Sequence, residues 1–161
     1  MPRRDREYRM NMGKERRMLF KNEDSSLKLD IVGYEFPQGG DPGSDDANWL
    51  VLRCTWVRED GGVVKDTNSC LLTYELQALA AGLKVLNAGI RDQYASDFVD
   101  PYFEIAAQAE GEAFRLDAAF YLPNTMDGDD TAEIEAVLDK EELQALIDEL
   151  DVLCRKYPER T

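Results

Sequence analysis

From Leu27 the chain alternates apolar and polar residues with a period of two. Leu27, Leu29 and Ile31 face one way and Lys28 and Asp30 the other, as in a strand with one wet face over Leu27–Tyr34. A second strand is predicted over Trp49–Arg58, where aromatic and β-branched residues dominate. Leu50, Leu52, Cys54 and Trp56 share one face, Trp56 as a core residue; Trp49, Val51, Arg53, Thr55 and Val57 share the other. Asp60-Gly61-Gly62 accepts the positive φ of a tight turn, so the chain returns along Val63–Leu71. Gln38–Asn48 combines glycine, proline and acids and reads as an exposed loop. At Thr73, the expected N-cap, the period changes. Leu76, Leu79, Ala80, Leu83 and Leu86 recur at helical spacing until Asn87-Ala88-Gly89 stops the helix.

The second half repeats a related order. Pro101–Ala109 and Glu112–Leu122 form a hairpin around Glu110-Gly111, with Phe103, Ile105, Ala107, Phe114, Leu116, Ala118 and Phe120 inside. An acidic loop, Asn124–Thr131, leads to a strand over Ala132–Leu138. The last helix, Lys140–Tyr157, is capped by Asp139 and buries Leu143, Leu146, Ile147, Leu150 and Leu153. Glu75–Leu79 recurs residue for residue as Glu142–Leu146 at an offset of 67, and Leu83, Val85 and Leu86 recur at the same offset. The expected fold is α+β: an antiparallel sheet of about six strands with two helices on one face, arranged as β-β-β-α twice over. Duplication and chance matching of common helix formers both account for the repeat.

A chain of 161 residues fits one domain. Its longest uncharged apolar run, Ala78–Leu83, is too short to span a bilayer, and no secretory signal follows the basic start, so the expected location is the cytoplasm. There is no histidine, which excludes Ser-His-Asp and Cys-His catalysis and the common zinc and haem sites. Cys54, Cys70 and Cys154 are odd in number and far apart, as expected of reduced thiols.

The net charge is −14 and unevenly spread. Met1–Met18 holds seven bases against three acids, so the remaining 143 residues carry −18. Residues 1–18 read as a basic arm and 19–161 as one acidic domain. Met12 and Met18 are alternative starts, which would leave the arm upstream of the true one; with one aromatic and no motif, it does not read as a nucleic-acid-binding tail. The acidic body repels phosphate backbones and anionic membranes and attracts cationic proteins, although solubility alone also accounts for such a charge.

Motifs for catalysis are absent. Gly39-Gly40 lacks a P-loop lysine and a dinucleotide-site spacing. Asp127-Gly128-Asp129-Asp130 with Glu133 lacks the order of a calcium loop, so neither metal nor cofactor is expected. Trp49 beside Asp45, Asp46 and Asn48 reads equally as a contact anchor and as a core residue. Tyr34, Arg53 and Tyr121 are expected on the sheet face opposite the helices, a platform for a protein partner.

Leu29–Pro37 (LDIVGYEFP), Asp46–Leu50 (DANWL), Leu71–Leu76 (LLTYEL) and Tyr157–Arg160 (YPER) together resemble the WapI family of bacterial immunity proteins, over Leu27–Arg160. The resemblance implies a cytoplasmic, non-enzymatic protein that binds and neutralises a cognate toxin, such as a nuclease domain, and it carries over no catalytic residue. On this reading the partner-binding residues are Tyr34, Glu35, Asp45, Asp46, Asn48 and Trp49. The partner is a basic protein, with no nucleic acid or membrane involved. An interaction module with an unrelated partner and a carboxylate- or metal-dependent enzyme are the alternatives.

Overall fold

A computed structural model describes residues 17–39, 44–124 and 130–160. Among them are strands β1 (Arg17–Lys21), β2 (Ser26–Tyr34), β3 (Trp49–Val57), β4 (Val63–Leu72), β5 (Gln93–Ala95), β6 (Phe103–Glu110), β7 (Ala113–Leu122) and β8 (Asp130–Leu138). Helix α1 (Thr73–Asn87) comes after β4, and α2 (Lys140–Lys156) after β8. The expected single sheet of six strands is replaced by two antiparallel four-stranded sheets, ordered β1-β2-β3-β4 and β5-β6-β7-β8. The two strands not expected from sequence are the shortest. β1 lies partly within the basic segment and offers only Met18 and Phe20 to the core, and β5 is three residues long. Arg17 and Met18, assigned to the arm, therefore begin the first sheet; the rest of the arm lies outside the described residues.

Each sheet buries one face. Leu27, Leu29, Ile31, Leu50, Leu52 and Cys54 from the first and Phe103, Ile105, Leu116, Phe120 and Ile134 from the second join one core with both helices. Trp56 packs against that core while partly exposed. The helices pack on each other; α1 touches β4, β5 and β6, and α2 touches β1, β7 and β8. Edge strands β1 and β8 meet, and Asn22 Nδ2 donates to the Glu135 carbonyl at 3.0 Å. The buried Asp66 carboxylate on β4 accepts from Asn124 N at 3.1 Å and Asn124 Nδ2 at 2.6 Å. That bond ties the first sheet to the end of β7.

The two halves share an order of four strands and a helix, and the helices begin 67 residues apart. Each helix also has a glutamate at its third position that accepts from the N-cap N–H: Glu75 from Leu72 at 3.0 Å, Glu142 from Asp139 at 3.1 Å. Asp139 caps α2 as expected, but Leu72, not Thr73, is the N-cap of α1. Gly89 ends α1 at φ 77° and Gly111 turns the β6–β7 hairpin at φ 64°, conformations that favour glycine.

Inside α1, Gly82 leaves space for the Tyr94 ring, which a Cβ there would strike. Gly82→Ala therefore lowers the melting temperature even though alanine favours helix by about 1 kcal/mol. Adding Tyr94→Leu recovers most of the loss, a coupling read from a double-mutant cycle in thermal melts.

Candidate functional site

Strict alternation along β2 places Tyr34 with Lys28 and Asp30 on the outer face. The register differs: Ile31 pairs with Leu52 and Gly33 with Val51, so Val32 is an extra residue. This bulge inverts the parity of the residues beyond it and turns Tyr34, now opposite Leu50, towards the interior. Its hydroxyl donates to the Pro158 carbonyl at 2.7 Å, and its ring meets Tyr157 edge-on with centroids 5.5 Å apart. The expected platform therefore does not form. Arg53 lies on the first sheet, 3.7 Å from Asp30, while Tyr121 lies on the second, stacked on Tyr102.

Arg160 completes the contact. Its guanidinium carbon lies 3.6 Å from the Tyr34 ring centroid. Nε donates to the Ala47 carbonyl at 2.8 Å, Nη1 to Pro37 at 3.1 Å and Nη2 to Phe36 at 2.8 Å. Asn48 binds the same residue through its main chain. Oδ1 accepts from Arg160 N at 2.7 Å and Thr73 Oγ1 at 2.9 Å, and Nδ2 donates to the Arg160 carbonyl at 2.8 Å. Asn48 and Thr73 are buried, so this hydrogen bonding is sheltered from water. Burial pushes the Tyr34 phenol up, opposed by the nearby Arg160 charge and reinforced by Tyr157. All four sequence segments that resemble the WapI family thus meet at one end of the first sheet.

The six residues singled out in sequence divide into two layers there. Tyr34 and Asn48 lie beneath, holding the C-terminal segment. Glu35 is exposed, and its N–H donates to the Trp49 carbonyl at 2.9 Å. Asp45 and Asp46 open a 3-10 helix, Asp45–Asn48, in which Ser44 Oγ accepts from Asp46 N at 3.3 Å. Trp49 is half-buried at the start of β3. Sequence reasoning missed Phe36 and Tyr74, 41% and 37% exposed, and the exposed carboxylate of Glu159. The signal for Tyr74 was its place opposite the Leu76–Leu79–Leu83 stripe. Partial burial pushes the Tyr74 phenol up, and Asp45, Glu75 and Glu159 add to the shift through their negative charge, Asp45 also by a hydrogen bond. Tyr74 thus lies among carboxylates, Phe36 is exposed next to Glu35 in the chain, and none of Glu35, Asp45, Asp46 or Glu159 pairs with a cation among the described residues.

Burial pushes the Cys54 thiol up to about 12 and Cys70 higher still, with nearby Asp66 and Asp100 adding to each in turn, so neither is a nucleophile at neutral pH. No three His, Cys, Asp or Glu side chains cluster to hold a metal among the described residues. Asp127 and Asp129 of the acidic loop lie outside those residues; Asp130 and Glu133 are in β8. Among the described residues no helix is long and apolar enough to cross a membrane.

The family model of WapI-like immunity proteins matches residues 18–158, and the chain belongs to that family, whose members neutralise a toxin by binding it. No curated protein matches the chain.

Asn48→Ala strips partners from Thr73 Oγ1 and from the Arg160 main chain. It should cost about 2–3 kcal/mol, a fall of roughly 5–10 °C in melting temperature. Arg160→Lys should behave like Arg160→Ala in the same melts, because an ammonium cannot reach three carbonyls and stack on Tyr34 together.

Proposed function

We propose that this chain is a cytoplasmic immunity protein that neutralises a basic, nuclease-type toxin by docking on its cationic substrate groove, without catalysis. The observation that carries the reading is the surface over the C-terminal contact, whose carboxylates form no ion pair among the described residues and which is formed from the segments that mark the family. Its electrostatics support the partner class. A body carrying −18 beyond Met18 attracts a basic domain and repels nucleic acid and anionic membranes. Bound in such a groove, it would occlude the phosphate-binding surface by charge as well as by shape.

The contacting residues on this reading are Glu35, Asp45, Asp46 and Trp49, with Phe36 and Tyr74 as aromatic anchors and Glu159 at the rim. Tyr34 and Asn48 act from beneath by fixing the surface.

The toxin domain is obtained by affinity capture on the full chain at low salt and elution as salt rises. Asp45→Asn with Asp46→Asn should then slow its association about threefold or more at low salt and flatten the salt dependence, leaving dissociation little changed. Association kinetics unaltered by the double substitution would refute docking at this surface.

A further inference from the structure

The outer faces of the two sheets carry opposite charge. Residues directly opposite in a ladder share a face, so the register defines rows of side chains across each sheet. In the first sheet one outer row is Arg17, Asp30, Arg53 and Thr67, and the next is Leu19, Lys28, Thr55 and Lys65. Lys21 begins a third row. Five bases therefore stand at outer positions of these strands, against the single acid Asp30. Lys28 and Arg53 approach Asp30 at 3.8 and 3.7 Å, while Lys21 and Lys65 form no ion pair among the described residues.

The second sheet inverts this arrangement. One outer row is Glu104, Ala119 and Glu133, and the next is Ala106, Asp117 and Glu135. With Glu110 these are five acids at outer positions, against the single base Arg115, which lies 3.0 Å from Glu110 and 3.8 Å from Asp117. Glu104 and Glu133 form no ion pair among the described residues. The small side chains of Ala106 and Ala119 leave an open depression of about 550 Å³ between the carboxylates. The intervals match. Lys28 and Lys65 are two strands apart across Thr55, and Glu104 and Glu133 are two strands apart across Ala119, a separation of about 10 Å in each sheet.

We infer that the basic face of one copy packs on the acidic face of a second, a head-to-tail self-association that does not rest on the toxin reading. Lys28 and Lys65 meet Glu104 and Glu133, and their methylene stems lie over the alanine depression. A nucleic acid is disfavoured on the basic face. Its three rows hold no aromatic ring for a base to stack on, and the chain as a whole carries −14. That net charge also opposes association of two copies at long range, but at 0.15 M salt screening confines it to about 8 Å and contact pairs decide. Four strands and three rows give each face roughly 300 Å², well below the ~800 Å² per partner of a standard interface, so the association is weak and reversible.

The test is sedimentation velocity of the full chain from about 10 μM to about 1 mM, a range suited to a weak interface. The expected result is an average sedimentation coefficient that rises with concentration. Lys28→Glu with Lys65→Glu, and separately Glu104→Lys with Glu133→Lys, should each weaken self-association at least about tenfold, and mixing the two variants should restore it. The second variant changes the net charge from −14 to −10, so relief of general repulsion would strengthen its association, the opposite of the expected result. Melting curves check folding, and Lys65→Gln and Glu133→Gln stand in for a reversal that does not fold, with a loss of about threefold each. A wild-type chain that stays monomeric throughout, or a mixture that fails to restore association, would overturn the inference. So would a loss confined to the Glu104 and Glu133 variant, which would give the acidic face a different basic segment. A duplex oligonucleotide bound by a monomeric wild type and lost on reversing Lys28 and Lys65 would give the basic face to nucleic acid and overturn it equally.

Discussion

The hydrogen bonds between Asn48 and Arg160 are the constraint on which the rest of this end of the protein depends. Asn48 is buried and uses its carbonyl oxygen twice and its amide once. In doing so it joins the 3-10 helix, the start of α1 and the C-terminal segment. The Arg160 guanidinium then spans Phe36, Pro37 and Ala47 while lying on Tyr34, so one side chain fixes the end of β2 and the approach to β3. A cation with three carbonyl acceptors and an aromatic face needs no carboxylate partner. The carboxylates of this region are consequently left on the outside, where they define an anionic surface.

The same economy of polar groups recurs within the core. Glu75 uses both carboxylate oxygens on backbone N–H groups, one at its own helix start and one at Val99, so it stitches α1 to the segment before β6. Asp66 bridges the first sheet to Asn124. Buried acids in this very acidic chain are thus satisfied by neutral donors rather than by ion pairs, which keeps the structural carboxylates apart from the surface field. Among the described residues the ion pairs are exposed or half-exposed, the shortest being Lys84 to Asp151 at 2.8 Å between the helices, and contribute modestly.

What the sequence by itself determined is the identity and polarity of the longer elements. Period-two alternation set the inward residues of β2 as far as Ile31 and those of β3, β6 and β7, helical spacing set the buried stripes of α1 and α2, and Asp139 and Gly89 marked helix ends through local chemistry. The absence of histidine and the charge imbalance are equally independent of folding. The α+β class and the family resemblance rest on these local signals, because each involves residues near one another in the chain.

Only the tertiary structure decided the rest. The division into two sheets turns on β1 and β5, which are too short to carry a period and are strands because a neighbour offers a free edge. The inward turn of Tyr34 comes from one extra residue, Val32, and a bulge is set by pairing with β3, not by anything within β2. Asn48 looked like a surface contact because its partners, Thr73 and Arg160, are 25 and 112 residues away. Tyr74 comes together with Asp45 and Glu159 only when the C-terminus is pinned, and Phe36 meets Arg160 through its carbonyl in the same way. The physical reason is common to all four cases. A side chain's face is set by local periodicity, but its partner is set by the entropy and packing of closing long loops, and that information is distributed over the whole chain.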